Sequence, residues 1–170
     1  MVGRLIIDYQ GDNKRATVFR PSYIFAHTRI AGIYEYKFKG EPFISYDEVN
    51  HDFGQLEVII KNNLNDWKVA LSNVSGVYLI TDKATGKHYV GSASGSGGIW
   101  VRWKSYINSY HGNNKDLKEL FKKKSEKYFK DNFRFAILEI ISSAKTKEEV
   151  IHKENLWINK LFTKKYGYNN

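Results

Sequence analysis

The 170-residue chain contains no cysteine, which excludes disulfides, zinc–thiolate sites and thiol catalysis. No run of about 18 apolar residues occurs, and the start lacks the apolar core of a signal peptide. The expectation is a cytoplasmic protein with no membrane partner. The glycine-rich stretch Ser92–Gly98 is followed by no Gly-Lys-Ser/Thr, so it is not a nucleoside triphosphate loop. Arginine is scarce late in the chain, where Arg102 and Arg134 are the two that follow residue 76.

Charge of one sign is abundant instead, and it is unevenly placed. Residues 1–75 carry nine basic and nine acidic side chains, while residues 76–170 carry 18 basic and nine acidic, so the net +9 lies wholly in the second part. A surplus confined there suggests a polyanion partner, with phosphates the obvious choice. Lysine supplies 16 of those 18 charges. Ammonium groups suit general attraction to a phosphate backbone, whereas bidentate base reading prefers arginine.

The stretch that organises the chain is residues 76–106. Gly76-Val77-Tyr78 and Tyr89-Val90-Gly91 both lie in β-type sequence, with ten residues between the tyrosines. A Gly-containing turn, residues 82–87, joins them into a hairpin. The loop 92–98 leads to a helix over 99–110, where Ile99, Trp103, Ile107 and Tyr110 form an apolar stripe. Arg102 and Tyr106 stand one turn apart on an adjacent face. Farther on, the apolar spacing predicts a helix over about 115–130 with Leu117, Leu120 and Phe121 inward and Lys122, Lys123, Lys124, Lys127 and Lys130 outward. A strand follows at Phe133–Ile141. Thr146-Lys-Glu-Glu149 is a capping box opening a last helix over 147–162. In it Val150, Ile151, Glu154, Trp157, Ile158 and Leu161 form an inward stripe, of which Glu154 is the charged member. A carboxylate placed inward costs several kcal/mol, roughly, unless paired or bound to a metal. Glu154 is therefore either salt-bridged at the core's margin or a ligand for a divalent cation.

The two tripeptides, their separation, and the order Arg102, Tyr106, Glu154, then Asn169 in Gly167-Tyr168-Asn169 resemble the GIY-YIG nuclease family over about residues 68–170. The resemblance implies a metal-dependent DNA endonuclease that hydrolyses phosphodiester bonds. Its catalytic residues would be Tyr78, Tyr89, Arg102, Tyr106, Glu154 and Asn169, with Glu154 holding Mg²⁺ or Mn²⁺. Arg102 would stabilise charge on the phosphoryl group, and Tyr78 or Tyr89 would take a proton from the attacking water. Lys87, Lys104, Lys122, Lys123 and Lys127 are the candidate contacts to double-stranded DNA. The rival reading is a catalytically silent DNA- or RNA-binding module. Two departures bear on the pathway. Ser92 stands where several relatives, the excision-repair nucleases among them, carry Lys. The separate C-terminal DNA-binding domain of homing endonucleases is not expected after Asn170. A restriction-type or structure-selective enzyme, monomeric or homodimeric, fits both.

The expected fold is α/β in the α+β sense: a small, mainly antiparallel sheet from 76–82, 88–92 and 133–141, flanked by helices. Domain boundaries are expected at 1–70, an accessory subdomain without readable chemistry, and 71–170, the nuclease domain. In the first, residues 4–9 and 16–25 read as strands around a polar turn, and 35–39 alternates like an exposed strand. Gly32-Ile33-Tyr34 spells the family's first tripeptide but has no Tyr-x-Gly at the right distance, so it is rejected. A helix over about 47–63, capped by Ser45 or Asp47, follows from the spacing of Val49, Phe53, Leu56 and Ile60. Gly54 weakens it by roughly 1 kcal/mol. The segment 66–71 leads into Gly76.

Overall fold

The structure is a computed structural model that describes residues 5–9, 28–33 and 40–170. The chain divides into two compact units, Met1–Lys39 and Gly40–Asn170. In the first, β1 (Leu5–Tyr9) pairs antiparallel with β2 (Thr28–Ile33), Leu5 opposite Ile33. Gly32 and Ile33 of the rejected tripeptide therefore belong to β2. The expected strand over 16–25 and the segment 35–39 lie outside the described residues.

The second unit is an α+β fold. Its order is β3 (Asn50–Asp52), α1 (Phe53–Lys61), α2 (Asn65–Ser72), β4 (Ser75–Asp82), β5 (Lys87–Ala93), α3 (Gly98–Ser109), α4 (Lys115–Lys123), α5 (Glu126–Asn132), β6 (Phe133–Ile141), α6 (Lys147–Lys160) and α7 (Thr163–Tyr166). The sheet runs β3-β6-β4-β5 with every neighbouring pair antiparallel. No helix among the described residues is long and apolar enough to cross a membrane.

The compact units meet after Lys39, not at residue 70. Segment 40–72 supplies strand β3 and the buried side chains Phe53, Leu56, Ile59, Ile60, Trp67 and Leu71, which share one core with Tyr78, Trp103 and Phe135. The helix expected over 47–63 begins only at Phe53. Pairing with β6 (His51 opposite Phe135) draws 50–52 into the sheet, and Arg134 Nε donates to Asp52 Oδ1 at 2.8 Å. Asp52 then serves as the N-cap of α1, its backbone N–H donating to Gln55 Oε1 at 3.0 Å. Val49, Phe53, Leu56 and Ile60 are all buried as the stripe required.

The helix expected over 115–130 is two helices. Lys124 is extended, and Ser125 restarts the helix as an N-cap that accepts from the Tyr128 N–H. A serine in that role satisfies a backbone donor that a continuing helix would not expose. The break turns Phe129 into the core, where its ring packs 4.5 Å from Phe133.

Two layers of helices cover the sheet. On one face α3 packs Ile99, Trp100, Trp103, Tyr106 and Ile107 against Tyr78, Ile80, Tyr89 and Ala93. On the other, Val150 and Ile158 of α6 meet Val77, Val90 and Ile141. One irregularity in β6 changes which of its residues face each layer. Tyr78 pairs with Ile137 and Val77 with Glu139, so Leu138 is an extra residue and the side-chain alternation changes phase. Ile137 thus packs with the first core, and Leu138 and Ile141 with the second.

Candidate active site

Tyr78 lies opposite Gly91, and Tyr89 lies opposite Ile80 two residues on, so both tyrosines share the α3 face. The glycine is a steric requirement: a Cβ at Gly91 would stand 2.5 Å from the Tyr78 hydroxyl and 2.6 Å from Cζ. Its absence lets the Tyr78 ring lie across β5. Gly76 answers a similar need, since a Cβ there would come within 2.7 Å of the Glu139 carbonyl oxygen.

From α3, Arg102 reaches the same place. Its Nε donates to the Tyr78 hydroxyl at 3.0 Å, Nη2 to the Tyr106 hydroxyl at 3.2 Å and Nη1 to the Gly112 carbonyl at 2.8 Å. The guanidinium also lies 4.9 Å from the centre of the Tyr106 ring. Three of the five guanidinium N–H donors are so engaged, which leaves two for a ligand. The Tyr78 and Tyr106 hydroxyls are 3.3 Å apart, and both side chains are wholly buried. Burial first, then the neighbouring Tyr89 phenol, holds the Tyr78 pKa above its ordinary value against the pull of Arg102. Burial, with Tyr78 and Tyr89, does the same at Tyr106. Both rest as neutral phenols. At Arg102 burial works against the cation, but the Tyr78 and Tyr106 oxygens outweigh it and raise its pKa.

Glu154 arrives from the other layer. It sits on α6 between buried Val150 and Ile158, and its Oε2 accepts from Ser92 Oγ at 2.5 Å. Ile151, expected inward, is 41% exposed because it lies at the edge of that face. The two layers meet at the edge of β5, where an open cavity of about 390 Å³ is lined by Tyr89, Ser92, Ser94, Ser96, Arg102, Lys147 and Glu154, with apolar neighbours.

Tyr89, Arg102 and Glu154 thus line one cavity, with Tyr78 bonded to Arg102 beside it. Tyr106, expected among the catalytic residues, is buried behind Arg102 and outside the cavity lining. Asn169 also has another occupation: its Oδ1 accepts from the Val90 N–H at 2.9 Å and its Nδ2 donates to the Val90 carbonyl at 2.8 Å. With Tyr168 N donating to the His88 carbonyl at 2.8 Å, the C-terminal tail covers this length of the edge strand. Lys87, Lys104, Lys122, Lys123 and Lys127 are outside the cavity lining. Lys122 pairs with Glu119 at 2.7 Å and Lys127 with Asp131 at 2.5 Å. Lys87 lies 5.5 Å from the Tyr168 ring centre.

Sequence reasoning did not assign Ser92 and Lys147 to the site. Both were within reach of the periodicity. Ser92 lies one residue out of phase with Tyr89, Gly91 and Ala93, hence on the α6 face. Lys147 precedes Glu154 by two helical turns, hence on its side.

No cluster of three or more His, Cys, Asp or Glu side chains suited to a metal ion occurs among the described residues. The cavity instead offers one carboxylate, Glu154, with one oxygen bonded to Ser92. That donor set fits a hard divalent cation which keeps most of its waters and takes substrate oxygens, the habit of Mg²⁺.

The GIY-YIG catalytic domain family matches residues 74–169, more than half of the chain, and the chain belongs to that family. It is 32% identical over 90 residues to the probable intron-encoded endonuclease bI1 of Neurospora crassa. That match takes in 51% of this chain and 19% of the relative, so the chain spans about a fifth of that protein's length. Two solved structures are also similar, the catalytic domain of intron endonuclease I-TevI in a point-mutant form and the catalytic domain of homing endonuclease I-TevI. They are 31% and 32% identical, cover 56% of this chain and 92% and 96% of theirs, and have TM-scores of 0.45 and 0.44.

Proposed function

We propose that the chain is a metal-dependent endonuclease that hydrolyses DNA phosphodiester bonds at the edge of β5. The observation that supports this most is the convergence, in one open cavity, of a carboxylate, an arginine with unspent donors and a tyrosine. The arginine and the carboxylate arrive from layers that pack on opposite faces of the sheet, and the tyrosine from the sheet itself.

Glu154 would hold the cation, Mg²⁺ or Mn²⁺, which when bound supplies Lewis acidity at a phosphate oxygen and at the leaving 3′-oxygen. Arg102 is braced by Tyr78, Tyr106 and the Gly112 carbonyl, so its two remaining donors are pre-aimed. They would bind non-bridging phosphate oxygens and neutralise charge as it develops in the transition state. A preorganised donor of this kind contributes roughly 10²–10³-fold in rate. Tyr78 or Tyr89 would take the proton of the attacking water as a phenolate, after giving its own proton to solvent. Tyr78 has the donor that stabilises a phenolate, and Tyr89 has the cavity. Ser92 fixes the Glu154 carboxylate, and Lys147 adds positive charge at the cavity rim. Asn169 acts through β5: the carboxamide presents a donor and an acceptor in one plane and so imitates a neighbouring strand. It is a positioning residue in this scheme. The substrate is double-stranded DNA, cut in a restriction-type or structure-selective manner that a panel of linear, branched and single-stranded DNAs distinguishes.

Supercoiled plasmid incubated with Mg²⁺, Mn²⁺ or EDTA tests the proposal. Metal-dependent nicking or linearisation that disappears in Glu154→Ala, with DNA binding retained, is the expected result. Salt-sensitive binding with no cleavage of any DNA in the panel would refute it in favour of a silent binding module.

A further inference from the structure

The C-terminal end of α6 presents a surface that the cleft does not use. Phe162 is 63% exposed and Tyr166 is 62% exposed. The two are one helical turn apart, the Tyr166 N–H bonding to the Phe162 carbonyl at 3.0 Å. Around them stand Lys160, Lys164 and Lys165. Lys160 lies 4.9 Å from the Trp157 ring centre and Lys165 lies 5.0 Å from that of Tyr166. No carboxylate is ion-paired with Lys160, Lys164 or Lys165 among the described residues. Glu139, the acidic group that senses Lys160, is already paired with Lys153 at 2.7 Å.

Phe162 is held there at a conformational cost. Its φ of 52° puts it in the left-handed region, where an aromatic residue is uncommon and glycine is not. A solubility or folding requirement would favour glycine or asparagine at such a helix-terminating position. Tyr110, the other aromatic residue at positive φ among the described residues, stacks on Phe53 and Phe121, whereas the Phe162 ring stands exposed among lysines.

We infer that Phe162, Tyr166, Lys164 and Lys165, with Lys160, form a second contact surface for duplex DNA. The lysines hold the phosphate backbone, and the Phe162 ring lies against, or wedges into, a base step. Charge complementarity selects the partner: the ring pair lies in the part of the chain that carries the whole net +9. Aromatic wedges flanked by lysine are also how proteins deform a duplex from the minor groove. Lys160 follows Glu154 by six residues on α6, about 9 Å of helical rise. Six residues also turn Lys160 about 120° around the helix from Glu154, so this surface neighbours the cavity along α6 without lining it. The inference rests on the nuclease reading for its geometry, but not for its measurement.

The test uses the full chain carrying Glu154→Ala, so that DNA is bound and not cut, and fluorescently labelled duplex DNA as the probe. Phe162→Gly removes the ring and relieves the backbone. Thermal stability should hold or rise while duplex affinity falls about fivefold or more, the weight of one stacked base. Lys164→Gln with Lys165→Gln should reduce the slope of log affinity against log salt by about 2. A duplex with 2-aminopurine in place of adenine should brighten on binding, and Phe162→Gly should abolish the change. Unaltered affinity, salt slope and fluorescence in these variants would overturn the inference. So would a self-association that Phe162→Gly breaks while DNA affinity stays constant. Failure of the Glu154-intact chain to cut, with duplex affinity still dependent on Phe162, would remove the nuclease reading and leave this surface standing.

Discussion

Gly91→Ala is the sharpest probe of how the fold makes the site. The substitution adds one methyl group at a residue that touches no substrate. Its carbon would stand 2.5, 2.6 and 2.8 Å from the Tyr78 Oη, Cζ and Cε2 atoms, separations real Cβ contacts do not show. Relief requires about 1 Å of movement to regain van der Waals distance, since carbon atoms settle near 3.5–4.0 Å. Tyr78 has no room to move because its ring is wedged edge-on against Trp103 and Tyr106, with centroids 6.0 Å away in each case. Overpacking of this kind costs about 1–3 kcal/mol. The 3.0 Å bond from Arg102 Nε to the Tyr78 hydroxyl is the first thing lost. A misplacement of about 1 Å costs on the order of 10²-fold in rate. Urea unfolding should give the stability loss, and single-turnover plasmid cleavage the rate loss. A double-mutant cycle identifies the cause: in a Tyr78→Leu background, which empties the space, Gly91→Ala should be nearly neutral in stability. Wild-type stability and cleavage in Gly91→Ala, or an equal cost in both backgrounds, would refute the argument.

Ser92→Ala removes the 2.5 Å bond that fixes Glu154. Cleavage at limiting metal should fall about 10–100-fold and be recovered by raising the metal concentration, as for other residues that orient a metal ligand. An unchanged metal titration would show that Ser92 orients nothing. Asn169→Ala leaves the buried Val90 N–H and carbonyl without partners, at about 1–3 kcal/mol for each unsatisfied group. Denaturant unfolding should show the loss, and hydrogen exchange at Val90 should accelerate. Alkaline pH should unfold the protein through its tyrosines. Burial and a hydrogen bond to Glu126 push Tyr110 up to about 12, and burial and a hydrogen bond to Asp82 push Tyr128 up to about 12. Both folded values exceed the unfolded value of about 10. The stability they contribute is complete below pH 10, roughly, and is lost as the pH climbs through about 12. Tyr128→Phe should flatten that decline in a denaturation series across this range, and an unaltered profile would count against the linkage.

Elements whose pattern is self-contained were legible in the sequence. Phe133–Ile141 is a strand over the residues expected, because a buried run between two polar segments needs no partner to be recognised. Thr146 and Glu149 form the expected reciprocal cap, with Thr146 N bonded to Glu149 Oε2 at 2.8 Å. Elements defined by a neighbour were not legible. Asn50–Asp52 has no periodicity of its own and is a strand because β6 lies beside it and Arg134 binds Asp52. The break at Ser125 has a local signal, a serine N-cap, but it is embedded in a lysine run that reads as one outer face. The domain boundary shifted for a related reason: segment 40–72 shows an apolar stripe but not which core receives it.

The site obeys the same division. Glu154 and Arg102, which the structure places in one cavity lining, stand out in the sequence because each breaks its own surroundings, a charge within an apolar stripe and an arginine among lysines. Tyr106 and Asn169 were assigned to the chemistry from their positions in a resembled pattern, and a position in a pattern does not specify depth. Their packing makes them braces, one behind Arg102 and one along β5. That distinction changes what their removal should do. Loss of Glu154 should leave a stable protein that fails at catalysis, whereas loss of Arg102 should cost stability as well, because it strips hydrogen bonds from the buried Tyr78 and Tyr106 hydroxyls. Loss of Asn169 releases Val90, which is joined through Gly91 to Ser92, so stability, the Glu154 carboxylate and the hairpin tyrosines should suffer together. An edge strand pinned by the Asn169 carboxamide and the Tyr168 backbone is therefore the beam on which the two chemical halves of the site are aligned.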